Sequence, residues 1–316
     1  PTSSNNSYIH VENLRLDGNK TNNATGGYGV KLFQTYYSLF RRVTVANCKK
    51  SNIYLSAGSG QKCDVNHFDG CFFTDSDDYG MEFQSYNYGA VVDKCTIIYN
   101  LNGVYVRDMM EGFFQNNAVW GNLRSGIIAN YVTDTSFMGN LIEDHYRDGV
   151  SIGGSAGYLS RISFIGNKFK RNSKSTSPAY NYDALKLTYV TASPIIGNTF
   201  DNNDDRYCAH SINELATCTN NMIIGNSIHP LEGMVLLGTG TIIRDNQGYK
   251  TSASGTSTGT GSEQTIAHGL GFTPTRQQVI LIAGSATANP YHSSAPDATN
   301  IYVTAGNGQA WYWNVP

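Results

Sequence analysis

The chain has 316 residues, with 22 Lys and Arg against 24 Asp and Glu, a formal net charge of −2, and only 15% charged residues. This balance excludes a basic face of the kind that tracks nucleic acid, and no run of about 18 apolar residues offers a membrane-spanning helix. Twenty-one tyrosines, set among abundant Asn, Ser, Thr and Gly, suit hydrogen bonding and ring stacking on sugars, although Tyr is also a good strand residue.

The sequence opens on Pro1 without Met, so a processed protein or a fragment is expected. Over residues 1–18, Ile9, Val11, Leu14 and Leu16 alternate as a first coil before Asp17-Gly18-Asn19 turns the chain, and 19–28 read as loop. Gly29-Val30-Lys31-Leu32 and Asn52-Ile53-Tyr54-Leu55 begin a repeating strand. Gly80-Met81-Glu82-Phe83, Gly103-Val104-Tyr105-Val106, Gly126-Ile127-Ile128-Ala129 and Gly149-Val150-Ser151-Ile152 continue it at a fixed 23-residue interval. The second and fourth residues are apolar and the third varies, as in a strand with one buried face. A fixed period of this size marks a solenoid whose repeat is one coil.

A second register has the same period. Asn117 and Asn140 are followed by Ile165-Gly166-Asn167, Ile196-Gly197-Asn198, Ile224-Gly225-Asn226 and Asp245-Asn246, and preceded by Asp93-Lys94-Cys95, Asp69-Gly70-Cys71 and Ala46-Asn47-Cys48. Asn and Gly tolerate the left-handed backbone of a coil corner, and stacked asparagines can hydrogen-bond as a ladder. On this reading Cys48, Cys71 and Cys95 share one place in consecutive coils and can bridge; Cys63 is a further partner, and Cys208 and Cys218 can close an excursion. Six cysteines without a Cys-x-x-Cys pair then point to an oxidising, extracellular setting, the alternative being a buried thiol stack.

Insertions fall at 153–157, 171–183 and 201–218, where solenoid loops commonly wall a binding surface. The last coil strands are Gly233-Met234-Val235-Leu236 and Thr241-Ile242-Ile243. The expected fold is all-β: a parallel β-helix of about ten coils over 1–248, a linker over 249–262, and a small antiparallel β-sandwich over 263–316 for oligomerisation or accessory binding. The linker stretch also fits an extended strand without side-chain packing. Trp311-Tyr312-Trp313 is expected in the core or a subunit contact.

Stacked coils place the third strand residues and those just after them on one outer face. Glu82 and Asp108, with Arg107 between, form the candidate catalytic set as two carboxylates cleaving a glycoside; a Tyr–Arg pair beside a neutralising group, abstracting a proton from a uronic acid, is the lyase alternative, and an exposed ion pair is the plain one. Tyr54, Gln84, Tyr105, Asn130 and Lys186 are the candidate substrate-binding residues. Glu143-Asp144-His145-Tyr146-Arg147-Asp148 is a second, less favoured acid–base cluster. Asp75–Asp78 and Asp201–Asp205 carry oxygen ligands suited to Ca²⁺, but turn chemistry explains both, so no metal or cofactor is expected.

The 23-residue coils with Gly-Asn corners resemble the right-handed parallel β-helix of the pectate-lyase-like superfamily over residues 8–247. That superfamily holds lyases, hydrolases, epimerases and non-catalytic adhesins. The polygalacturonase signatures Gly-Asp-Asp, Gly-His-Gly and Arg-x-Lys are absent, as is a calcium-binding acidic set of pectate lyase type, so neither mechanism carries across. Thr265-Ile266-Ala267-His268-Gly269-Leu270, then Thr273-Pro274-Thr275 and strands ending in Trp, are similar to small C-terminal modules of viral tail spikes and fibres. This resemblance implies a homotrimer at a virion surface or outside the cell, binding a polysaccharide or glycan receptor and in some members depolymerising it, without nucleic acid or membrane insertion. His268 then has a structural role. The alternatives are a free extracellular polysaccharide lyase or glycoside hydrolase, and an adhesive solenoid.

Overall fold

The computed structural model describes residues 6–23, 25–154, 159–174, 182–201, 208–229, 233–250, 252–270 and 273–315. They fall into two compact units, Pro1–Ile242 and Ile243–Pro316. Among the described residues no helix is long and apolar enough to cross a membrane.

The first unit is a parallel β-helix. Its strands assemble into three sheets of thirteen, ten and eight strands, and each strand pairs with the equivalent strand one coil later. In the first sheet Met81 lies opposite Val104, Val104 opposite Ile127, Ile127 opposite Val150, and Val150 opposite Leu185. Alternation drives this register, because a slip of one residue would turn every inward side chain to solvent. The interior is filled by rows of like residues. Phe114, Phe137 and Phe164 stack at 5.1 and 5.0 Å between ring centroids, and Phe169 stacks on Phe200 at 4.7 Å.

Two ladders of buried polar side chains run along the coils. In the first, Asn117 donates to Asn140, Asn140 to Asn167, Asn167 to Asn198 and Asn198 to Asn226, at 2.9 to 3.0 Å. Each amide also donates to a backbone carbonyl of the preceding coil, as Asn140 does to Phe114 at 2.9 Å. The corner residue just before each rung has positive φ, as at Asn116, Gly139 and Gly166. The ladder expected from the sequence is present.

The second ladder runs through Ser76, Asn100, Asn122 and His145, with Asn172 on the next coil. The Asn100 oxygen accepts from the Ser76 N–H, that of Asn122 from the Asn100 N–H, and His145 Nδ1 from the Asn122 N–H. This ladder explains the periodic glycines. A Cβ on Gly103 would lie 2.4 Å from the Gly126 carbonyl oxygen, and one on Gly126 would lie 2.5 Å from His145 Nε2. Those strands start with glycine because the next coil and the ladder occupy the space of a side chain.

The cysteines depart from expectation. Cys71 and Cys95 follow one corner row, behind Gly70 and Lys94, but Cys48 follows Asn47, whose row continues through Asp75 to Tyr99. Asn47-Cys48 and Lys94-Cys95 look alike but belong to different corners of the coil. None of the six cysteines is disulfide-bonded and all are buried; burial raises the Cys95 thiol well above its usual pKa. A thiol reductant should therefore leave the melting temperature unchanged; a fall of several degrees, the signature of a lost bridge, would contradict this pairing.

The second unit holds two three-stranded antiparallel sheets. Ala310–Val315 pairs with Ala253–Thr258 on one side and Ile280–Ala283 on the other. Asn300–Thr304 pairs with Glu263–Ala267 and with Tyr291–His292. The stretch read as a linker thus contains a strand that pairs along its whole length. Its Ser, Thr and Gly side chains hide this in the sequence, since main-chain bonds rather than packing hold it. Trp311 and Trp313 join Val279, Ile301 and Val303 in this unit's core, while Tyr312 faces outward. His268 is buried and structural: its Nδ1 accepts from the Leu270 N–H at 3.0 Å and its Nε2 bonds the Asp297 carbonyl at 3.1 Å.

Candidate functional site

The outer face of the first sheet brings Lys31, Tyr54, Glu82, Tyr105, Ile128 and Ser151 into one lateral row through successive pairings. Tyr54 and Tyr105 are thus the immediate neighbours of Glu82. Glu82 is not exposed as the alternation implies. It is only 6% accessible, because Ser51 donates to one oxygen and Gln84 Nε2 donates to the other at 2.9 Å.

Two tyrosine pairs flank it. Tyr28 and Tyr54 lie 4.3 Å apart and Tyr79 and Tyr105 5.1 Å apart, centroid to centroid. Lys31 Nζ sits 5.7 Å from the Tyr54 ring and Lys50 Nζ 5.1 Å from the Tyr28 ring. Asp78, half-buried at the turn before the strand, has its carboxyl pushed up to about 6 by burial and then by the charge of Glu82, against the pull of Lys50 and Arg124. Burial, with Asp78 and Glu82, also pushes the Tyr79 phenol up to about 12.

Register places Tyr105, not Asp108, opposite Glu82, and Asp108 lies three residues farther along, about 10 Å of strand. Asp108 instead forms a pocket of about 550 Å³ with Tyr86, Tyr88, Arg107, Met110, Tyr131 and Thr133. Arg107 Nε is 3.8 Å from the Asp108 carboxylate, and Asn130 is in register with Arg107. Tyr86, Asp108 and Tyr131 have φ of 55°, 51° and 57°. A left-handed conformation costs a residue with a Cβ roughly 1–2 kcal/mol. Asparagine or glycine would fill these corners at less cost, yet two of the three are tyrosines.

Lys186 lies four coils from Glu82, beside Ser151 and Asn213. It borders a third group that the sequence reading missed. Asp148 accepts from the Asp183 N–H at 2.7 Å, Asp183 is 2.8 Å from His210 Nδ1, and Asn213 donates to Asp183 at 2.8 Å. Burial pushes the Asp148 carboxyl up to about 6. Asp148, Asp183 and His210 precede strands on successive coils, but unequal insertions between the coils hide their alignment in the sequence.

The cluster around His145 is structural rather than catalytic. The imidazole is fully buried as a rung of the second ladder, with Nε2 3.1 Å from the Val119 carbonyl. Glu143 and Asp144 pair with Lys170, Arg171 and Lys174. Asp77 is bound by Lys20 and Lys49 at 2.9 and 2.7 Å. No group able to hold a metal ion occurs among the described residues, and residues 202–205 of the second acidic stretch lie outside them.

Residues 28–188 match the family model for the right-handed β-helix region. The chain belongs to this right-handed β-helix family. A search of curated proteins by sequence gave no match. Among solved structures the β-helix is similar to the mannuronan C-5 epimerase AlgE4 A-module of Azotobacter vinelandii, at 12% identity and TM-score 0.52, over 75% of this chain and 62% of that one. It is also similar to DFA-IIIase from Arthrobacter chlorophenolicus A6 without its lid, at 13% identity and TM-score 0.55, over 77% and 58%. The third is the N-terminal fragment of bacteriophage Phi29 gene product 12, at 14% identity and TM-score 0.57, over 70% and 44%. The chain therefore spans less than two thirds of each relative, and identities this low establish a shared fold alone.

Within this β-helix, the candidate site residues that periodicity could reach are those on the strand itself, Tyr54, Glu82 and Tyr105. Asp78 sits in the turn before the strand, where period-2 reasoning assigns no face. Two of the pocket tyrosines, Tyr86 and Tyr131, occupy left-handed corners, for which Tyr gives no sequence signal.

Proposed function

We propose that this β-helix binds a polysaccharide or glycan receptor along the outer face of its first sheet, with one sugar ring seated between Tyr86 and Tyr131. The observation that carries the reading is a pocket of about 550 Å³ lined by Tyr86, Tyr88 and Tyr131 together with Arg107 and Asp108. Aromatic rings beside charged hydrogen-bonding groups suit the apolar and polar faces of a sugar. Arg107 and Asp108 supply polar partners at the pocket wall, and the tilted pairs Tyr28–Tyr54 and Tyr79–Tyr105 add aromatic surface on the same sheet. The likeness of residues 265–275 to viral tail modules, together with the fold shared with a bacteriophage protein, favours a homotrimeric spike or fibre at a virion surface over a free secreted enzyme. Light scattering of the purified chain separates a trimer from a monomer.

The binding test uses Tyr86→Asn with Tyr131→Asn on a glycan array. Two lost ring contacts should weaken binding at least about 100-fold. The melting temperature should hold or rise, because asparagine accepts the left-handed corner more readily. Undiminished binding, or a collapse of stability in place of binding, would count against this reading.

A further inference from the structure

The outer face of the second sheet changes character along the coils. One lateral row runs Glu12–Arg41–Asp69–Asp93 over the first coils and, through Gln115, continues as Met138–Ile165–Ile196–Ile224. Pro194, Met222 and Ile242 stand beside the apolar half, and no outward position of this sheet from Phe113 to Ile242 carries a charge. Ile165, Met222 and Ile242 are 40%, 38% and 52% accessible. An exposed apolar face of this kind, bordered by polar residues, marks an interaction site.

The corner after this row changes at the same coils. It holds Arg42, Gly70, Lys94 and Asn116 beside the charged and polar part, then Gly139, Gly166, Gly197 and Gly225 beside the apolar part, all with positive φ. Arg42 and Lys94 show that the turn accepts long side chains. A Cβ on Gly166, Gly197 or Gly225 would meet nothing within 4 Å, so packing within the chain does not call for glycine. The bare corner leaves the edge of the apolar row open to close approach by a neighbour. At the opposite edge Thr133, Ser160, Thr191, Thr219 and Thr239 form a row of hydroxyls. An apolar centre with a polar rim is the anatomy of a protein interface.

We propose that three copies of this chain pack on this face, coil axes parallel, with the Met138–Ile224 rows meeting at a common axis. The inference rests on reading the chain as a homotrimer. The row repeats once per coil, so it runs along the coil axis. A parallel second copy presents its own row at the same spacing of about 4.8 Å, and the two match coil for coil. A partner without that repeat has no such register. Five coils make the face about 24 Å long, and the chain from the hydroxyl row to the glycine corner makes it about 23 Å wide. Each chain then offers roughly 550 Å², and three faces closed on one axis bury roughly 1,650 Å², the size of a stable interface.

Light scattering on the full chain is the test. Wild type should have the mass of three chains. Ile165→Asp with Ile196→Asp crowds carboxylates at the axis and should reduce the mass to one chain, with the circular dichroism of a folded β-helix, since both side chains point outward. Gly166→Lys with Gly197→Lys, which repeats what Lys94 does at the same corner, should also give single chains. A trimer that survives both double substitutions would overturn this interface and leave the homotrimer standing. A wild-type chain that runs as a monomer removes both. Should the isoleucine variant fail to fold, the glycine variant decides.

Discussion

His145→Asn should fold normally and should lose much less stability in acid than the parent chain. The imidazole is completely buried, and burial holds its pKa down at about 4, despite the favourable charge of Asp144. An unfolded histidine titrates near 6.5. Between those values the unfolded chain binds a proton that the native chain refuses, so stability rises with pH across this window and falls as pH drops through it. From about pH 7.5 to about pH 4.5 the linkage amounts to roughly 2–3 kcal/mol. Asparagine removes the titration and keeps the rung, since Asn100 and Asn122 make the same contact with the preceding coil that His145 Nε2 makes with Val119. Asp78 and Asp148, whose raised pKa values act in the opposite direction, are present in both proteins and cancel in the comparison. Denaturant titrations of both proteins at the two pH values measure the difference. Parallel losses would mean that the native imidazole is already protonated or reaches water.

The same rung shows how far the sequence can be read. Glycine at a fixed interval and recurring asparagines disclose the coil, because close backbone approach and buried amide ladders leave few residue choices. They do not disclose which corner a residue belongs to. Each coil turns at several left-handed positions separated by short strands, so Ala46-Asn47-Cys48 and Asp93-Lys94-Cys95 look equivalent while standing in different rows. His145 appears in sequence as part of a charged cluster, yet it replaces an amide in a ladder whose preceding rung, Asn122, is 23 residues away. The candidate site follows the same logic. The common face of Tyr54, Glu82 and Tyr105 follows from the period, but the covering of Glu82 depends on Ser51, a residue of the preceding coil. The register does not bring Glu82 and Asp108 opposite one another: Tyr105 stands opposite Glu82, and Asp108, three residues on, has a left-handed backbone.

Asn116 and Asn117 should respond to substitution in opposite ways although they are adjacent and identical in type. Asn116 is exposed and has φ of 55°; it occupies a corner, so Asn116→Gly should change stability by less than about 1 kcal/mol. Asn117 is buried in the first ladder. Its side-chain oxygen accepts the Cys95 N–H at 2.8 Å, and its amide donates to the Val92 carbonyl at 2.9 Å and to Asn140 at 3.0 Å. Asn117→Ala strands the Cys95 N–H in a dry interior, deprives Val92 and Asn140 of a donor, and leaves a small void. At about 1–3 kcal/mol for each buried group left unpaired, the loss should reach roughly 3–5 kcal/mol. Native-state hydrogen exchange locates it: the Cys95 amide should lose its protection before amides several coils away. Equal effects for the two substitutions would mean that the ladder carries no more stability than the turn beside it. The periodic asparagines would then mark only the bends of the coil, not a hydrogen-bonded spine that holds successive coils in register.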